Sequence, residues 1–243
     1  MHGSYKDQLK RAIHESLKTQ RNWDLDKEMP QEDIDLIMEA ATQCPTRQNI
    51  PFYNVTAITD RTPIEKIHAA TQCFPMAHPD VDLSEYAKFV AQGSDIKKPA
   101  EPEVIAMKTN PQVLGQLLLA FSPNEETYYE RDKDMMGRTM RDKRKPCATG
   151  SATPWDKDVM ISIGIAVGYV KFISTQLGYR SGCCGCMEEE VNEIVGDKVH
   201  LLMGVGIPDE SRHRTEHHRE PDFRFPSFRG VKTMCPVKVE WLN

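Results

Sequence analysis

Apolar and polar positions along the chain alternate in a few clear periods. Over residues 4–18, Leu9, Ile13 and Leu17, with Ala12 beside them, recur at helical spacing with charges opposite, which predicts an amphipathic helix. Pro30 stands as the first residue of a second helix, with Glu32 and Asp33 in the first turn and Ile34, Ile37, Met38 and Ala41 facing inward. That helix should stop at Cys44-Pro45, and the polar loop 45–49 then feeds a half-buried strand over 52–59. Thr62-Pro63-Ile64-Glu65 has the form of a capping box, so a helix is expected to run from there to residue 71. Residues 73–102 are irregular apart from a short helix over 84–92. Leu117-Leu118-Leu119-Ala120-Phe121, preceded by Asn110-Pro111, reads as a buried strand. Residues 122–154 are polar, and we expect a partly helical excursion able to cover a pocket.

The strongest hydrophobic signal lies in residues 158–208. Residues 159–170 carry no charge and have apolar side chains at every angle, which predicts a helix buried all round. Gly164 and Gly168 are four apart, on one face, where a second helix or subunit could approach closely. Leu177-Gly178 supplies a left-handed C-cap. Residues 181–186, Ser-Gly-Cys-Cys-Gly-Cys, are expected as a turn before a short acidic helix, and residues 198–206 as a core strand ending at Gly206-Ile207-Pro208. Beyond it, residues 209–220 are dense in charge and histidine and read as a solvated loop, residues 223–229 alternate aromatic and basic, and 237–242 should form a terminal edge strand able to pair with another subunit's sheet.

Length and charge narrow the class. The 243 residues are 39% hydrophobic, enough for one sizeable core, and the formal charge of -5 with no concentrated basic block argues against nucleic-acid binding. The longest uncharged apolar run falls short of the ~18 residues that suggest a membrane span, and no apolar signal segment leads the chain. Seven cysteines do not make a secreted disulfide framework, so reduced thiols and a cytoplasmic location are expected. The Cys-Cys-x-Cys spacing of Cys183, Cys184 and Cys186 does not match the paired Cys-x-x-Cys of structural zinc sites, so no metal is expected even with His213, His217 and His218 nearby.

Three stretches carry candidate chemistry. Lys18, Thr19 and Arg21 leave the first helix together; they are either a solvated helix end, where cations offset the dipole, or a clamp for an anion such as phosphate. Thr46, Arg47 and Asn49 offer hydroxyl, guanidinium and amide groups at a helix-to-strand junction. The Gly- and Cys-rich stretch presents backbone amides of the kind a planar, electron-accepting ligand needs along its edge.

In their order and spacing, residues 9–60 and 158–208 resemble the FMN-dependent nitroreductase family. In that family an amphipathic helix ends in Arg-x-Ser-x-Arg/Lys followed by an aromatic; here Thr19, Arg21 and Trp23 stand at the last three of those places, with Leu17 at the first Arg. The family's Pro-Ser-x-x-Asn loop is matched by Pro45, Thr46 and Asn49, though Ile50-Pro51-Phe52-Tyr53 replaces its Ser-Gln-Pro-Trp. Asn110 stands at a family asparagine, while Gln112 and Val113 occupy the place of a cation often found after it.

The resemblance implies a single α+β domain with a three-layer fold, a central, mostly antiparallel sheet flanked by helices, and variable covers around 73–102 and 122–154. It implies an intertwined homodimer binding FMN at the interface, with NADH or NADPH as reductant and a small oxidised acceptor such as a nitroaromatic or quinone, in a ping-pong reaction. Lys18, Thr19 and Arg21, joined by Arg224 or Arg229, would hold the phosphate, and Thr46, Arg47, Asn49 and Asn110 the ribityl chain and the pyrimidine edge. Backbone N–H groups of Cys184 and Gly185 would face the redox-active edge, with Cys183 beside them. No side chain need act as acid or base. Two other readings stay open: a flavin-storing or flavin-sensing protein of the same fold, and a zinc-bound interaction module.

Overall fold

The run Leu117-Leu118-Leu119-Ala120-Phe121 becomes an inner strand buried along its whole length, which is why it shows no alternation: both of its faces are covered. A computed structural model describes residues 4–71, 74–76, 106–129, 154–225, 237 and 239–241. In chain order the elements are α1 (Tyr5–Glu15), α2 (Gln31–Thr42), a 3-10 turn (Arg47–Asn49), β1 (Tyr53–Ile58), α3 (Arg61–Ala69), β2 (Phe74–Met76), β3 (Ala106–Lys108), a second 3-10 turn (Pro111–Leu114), β4 (Leu117–Pro123), α4 (Glu126–Tyr129), α5 (Pro154–Gln176), β5 (Arg180–Cys184), α6 (Glu190–Val195) and β6 (Leu201–Gly206). The main sheet has the order β1-β4-β6-β5 and is antiparallel throughout, while β2 and β3 pair separately.

Side chains leave this sheet alternately to two cores. Leu117, Leu119, Phe121, Met203 and Val205 pack under α2 and α5 with Ile37, Ala41, Val159 and Ile163. Leu118, Ala120 and Leu202 point the other way, to Ile64 and Ile67 of α3, Val191 of α6 and Trp23. Helices therefore cover both faces, the expected α+β arrangement.

Local chemistry accounts for the element ends. Ser4 and Asp7 cap α1 reciprocally. Pro30 caps α2 rather than opening it, because its ψ of 141° is extended. In α3 the cap is Asp60, whose carboxylate accepts the Thr62 N–H, so the expected capping box at Thr62 is displaced by a better acceptor two residues earlier. Gly178 takes φ 94° at the end of α5, as the Leu-Gly signal predicts. The loop 45–49 is tighter than expected and winds into 3-10 form.

Four further expectations are corrected. Helix α5 is not buried all round: Val159, Ile163, Ala166 and Val170 face the sheet, but Met160, Ile161, Gly164, Gly168 and Tyr169 are exposed on the chain's outer side. Its apolar composition also meets the length and hydropathy of a membrane span, yet it packs as the core helix over this sheet. Residues 181–184 are strand β5 and not a turn; they are small because other chain segments lie against them. Ser122 and Pro123 end β4, and Pro154 already opens α5, so the excursion is shorter than its polar composition suggests. Residues 237 and 239–241 form no strand and are exposed. The helix expected over 84–92, Arg229 and most of both covers lie outside the described residues.

Candidate functional site

After α1 the chain becomes a strap along the sheet edge. Lys18 pairs with Glu15 at 2.5 Å, and the Gln20 N–H donates to the Ser181 carbonyl at 3.0 Å. The Arg21 N–H donates to the Arg214 carbonyl at 3.1 Å, and the Asp24 N–H to that of Ile207 at 2.9 Å. Buried side chains lock the strap: Asn22 donates to the His213 carbonyl at 2.6 Å, and the Trp23 indole donates to the Pro111 carbonyl at 2.9 Å. These bonds hold the strap, and with it the Arg21 backbone, in place.

The Arg21 guanidinium lies 4.6 Å from the centre of the Phe225 ring, over its face. Its Nε is buried with no hydrogen-bond partner among the described residues. Burial, and then the neighbouring Arg214 charge, push Arg21 down to about 10. Arg214 itself donates to the Thr19 carbonyl at 3.1 Å. A guanidinium largely out of water and close enough to a second cation to feel its charge is costly unless an anion joins it.

From Arg21 a column of rings crosses to α3. Phe225 and His217 stack at 5.8 Å with 12° between their planes, and His217 stands 6.1 Å from His68. The His68 Nε2 and Thr109 Oγ1 are 2.9 Å apart. Burial, then His217, Arg219 and Arg61, push His68 down to about 4 against a smaller opposing effect of Glu220. Next to Thr109, the Asn110 N–H donates to Thr71 Oγ1 at 2.9 Å, and the Asn110 Oδ1 accepts from the Gln112 N–H at 3.0 Å.

The cysteine stretch meets this column at its far end. Thr71 bridges to Met187, and the Glu188 N–H donates to the Ala70 carbonyl at 2.9 Å. The Cys184 thiol donates to the Cys186 carbonyl at 3.1 Å. Burial pushes that thiol up to about 11, although the Cys186 backbone and the Asn110 amide pull the other way. Cys183, one residue earlier in β5, packs on the α5 side and Cys184 on the α3 side, so the two thiols cannot reach one ion. Among the described residues no group of three or more His, Cys, Asp and Glu is placed to hold a metal. Gly185 is exposed, with open space where a side chain would stand.

Arg21, Asn110, Cys184 and Gly185 thus belong to one side of the fold, joined through α3. Thr46, Arg47 and Asn49 sit apart from them, while Arg224 adjoins Phe225 beneath Arg21. Thr46 precedes the first 3-10 turn, Asn49 is exposed with φ 56°, and Arg47 reaches Asp158 of α5 at 3.0 Å. Arg224 pairs with Glu216 at 2.6 Å.

Sequence reasoning missed Arg214, His217 and Phe225. Residues 209–220 are not a solvated loop, since Thr215 and His217 are each 1% exposed. Three histidines within one charged run, just before alternating aromatics, were the available signal.

No family model and no curated protein matches the chain. Solved structures share its architecture. Nitroreductase A from Vibrio parahaemolyticus is 12% identical, with a TM-score of 0.53 over 97% of this chain and 78% of that one. A Desulfitobacterium hafniense nitroreductase with bound FMN is 13% identical, with a TM-score of 0.51 over 99% and 100%. A candidate NAD(P)H:FMN oxidoreductase from Staphylococcus epidermidis is 13% identical, with a TM-score of 0.54 over 96% and 95%. The chain has the nitroreductase fold. At such identities the likeness is one of architecture.

Proposed function

We propose that this protein is an FMN-dependent oxidoreductase that takes reducing equivalents from NADH or NADPH and delivers them to a small oxidised acceptor, a nitroaromatic, quinone or similar compound, in a ping-pong cycle. The observation that carries this reading is the Arg21–Arg214 pair, two cations with one buried Nε unbonded, standing on the same side of the fold as Asn110 and the exposed Gly185 backbone. That set fits a ligand with a phosphate at one end and a polar ring edge at the other.

When bound, FMN would supply the hydride-accepting and hydride-donating ring. The protein's own part is to bind and orient. Arg21, with Lys18, Thr19, Arg214 and Arg224 or Arg229, would hold the phosphate. Asn110, Thr46, Arg47 and Asn49 would hold the ribityl chain and the pyrimidine edge, and the N–H groups of Cys184 and Gly185 the redox-active edge. Because the loop bearing Thr46 and Asn49 sits apart from Arg21 within one chain, the reading includes a homodimer in which a second copy completes the site. The exposed stripe of Met160, Ile161, Gly164, Gly168 and Tyr169 supports that contact. The reading also includes a cytoplasmic location and partners limited to small molecules.

The test is the visible spectrum of the purified protein, with FMN added, before and after anaerobic NADPH or NADH. A yellow spectrum that bleaches, and recovers with a quinone or nitroaromatic, supports an enzyme. Flavin binding without bleaching points instead to storage or sensing, and failure to bind FMN removes both readings.

A further inference from the structure

The Phe225 ring is buried and held from several sides. It is 6% exposed, and its backbone N–H donates to the Thr215 carbonyl at 2.8 Å. His217, 1% exposed, donates its own N–H to the Phe223 carbonyl at 2.8 Å and accepts the Arg219 N–H on Nδ1 at 3.1 Å. Residues 215–217 and 223–225 are thus pinned to each other, with the two rings nearly parallel between them. Phe223 meets Phe225 edge-on at 6.0 Å and closes the side of the stack. At the base, His68 belongs to α3 and is fastened by Thr109.

Arg21 rests on the top of this stack, and the arrangement has a physical purpose. Arg214 is close enough to disfavour the Arg21 charge. Left to itself, a repelled and dehydrated guanidinium would swing out to water. An aromatic face beneath it attracts the cation while leaving the N–H groups at its edge free of obligation to the ring. A carboxylate in the same place would neutralise Arg21 and occupy those N–H groups.

We infer that the His68–His217–Phe225 column positions Arg21 as an anion-binding group, Phe225 acting as its platform and His217 as the support under that platform. This rests on the flavin reading for the identity of the ligand, and it assigns Phe225 and His217 to the phosphate end alone. They are positioning residues that touch Arg21 or each other and not the ring of the ligand.

The experiment compares FMN with riboflavin, which lacks the phosphate, by quenching of flavin fluorescence with flavin-free wild type, Phe225→Leu and Phe225→Trp. The column predicts that Phe225→Leu weakens FMN binding about tenfold, the size of a desolvated cation–π contact. Riboflavin binding should stay unchanged, and Phe225→Trp, which keeps an aromatic face, should retain FMN. Equal FMN affinity in wild type and Phe225→Leu overturns the inference, as does an equal loss for both flavins or a Trp variant no better than Leu. If Phe225→Leu does not fold, His217→Leu against His217→Phe decides by the same criteria. Should wild type bind neither flavin, the flavin reading fails by itself, and the column is judged with inorganic phosphate. A phosphate-induced rise in melting temperature that is present in wild type and Phe225→Trp but absent in Phe225→Leu supports it. A rise equal in all three, or none in wild type, overturns it.

Discussion

Gly182 and Gly204 stand opposite each other in the register of β5 and β6, and Gln112 lies across both. A methyl group on Gly182 would meet the Gln112 Cβ and the Gln20 carbonyl, each at 2.8 Å. The second 3-10 turn and the strap that carries Arg21 therefore approach the sheet through a gap that only glycine leaves open.

Gly182→Ala should accordingly cost about 1–3 kcal/mol, the range for overpacking a tight interior. Because Gln20 precedes Arg21, the same change should also weaken FMN binding. A lowered midpoint in urea together with reduced FMN affinity is the expected pair of results; a variant as stable as wild type would show that the strap yields easily.

That gap also shows what was legible in the sequence. Helix α2 and strand β4 were, because Ile37 and Ala41 recur at helical spacing and Leu117–Phe121 is an unbroken apolar run; α1 was legible as a helix but not in its face, since Ala12 is buried while Ile13 and Leu17 are exposed. Strand β5 was not. Its Gly-Cys composition follows from what lies on it, namely Gln20 and Gln112, which are remote in sequence. The site divided in the same way. Thr19, Arg21 and Asn110 stood out by pattern, whereas Arg214, His217 and Phe225 gain their meaning from contacts with residues such as Asn22, which lies 191 positions from His213. No local period encodes a contact of that range.

Stability should fall in acid for an identifiable reason. His68 and His218 are both pushed down to about 4, chiefly by burial. His68 faces His217, Arg219 and Arg61, with Glu220 opposing; His218 faces Arg219, Arg212 and Arg61, with Glu65 opposing. Since the unfolded chain binds these protons near 6.5 and the folded chain only near 4, the unfolded state holds more protons in that window. Stability is then complete above ~6.5 and declines as pH falls towards 4, by at most about 1.4 kcal/mol per pH unit for each histidine. Urea midpoints measured across the window should show this slope, and His68→Gln should roughly halve it, leaving the part due to His218. A flat profile would mean that neither imidazole is held neutral.

The thiols should behave as bystanders. Burial pushes Cys183 up and Cys184 up to about 11, so both are protonated at neutral pH. A protonated thiol is neither a good nucleophile nor an easily oxidised one. Cys184→Ser should keep turnover with NADPH and a quinone within about twofold, and iodoacetamide should modify Cys183 and Cys184 far more slowly than a free thiol of ordinary pKa near 8.5. Rapid loss of activity on alkylation at Cys184 would contradict this.

The outer side of α5 provides a test in which the sign of the effect decides. In one chain a side chain on Gly164 or Gly168 would meet nothing within 4 Å. If that face is open to water, Gly164→Ala should stabilise the protein by about 0.5–1 kcal/mol, because alanine relieves glycine's helix penalty. If a second copy packs there as closely as two glycines four residues apart allow, the added methyl must push the helices apart. The dimer should then weaken, although the isolated chain gains. Exposed Ile161 and Met160 on the same side make close packing the favoured outcome, since burying each would contribute about 1.5–3 kcal/mol. The expected result of sedimentation is therefore a wild-type dimer and a Gly164→Ala protein that dissociates at higher concentration. Ile161→Glu should be monomeric, and FMN binding should fall with dissociation if the loop bearing Thr46 and Asn49 is contributed across the interface. A Gly164→Ala protein that is more stable and equally dimeric would place the subunit contact on another surface.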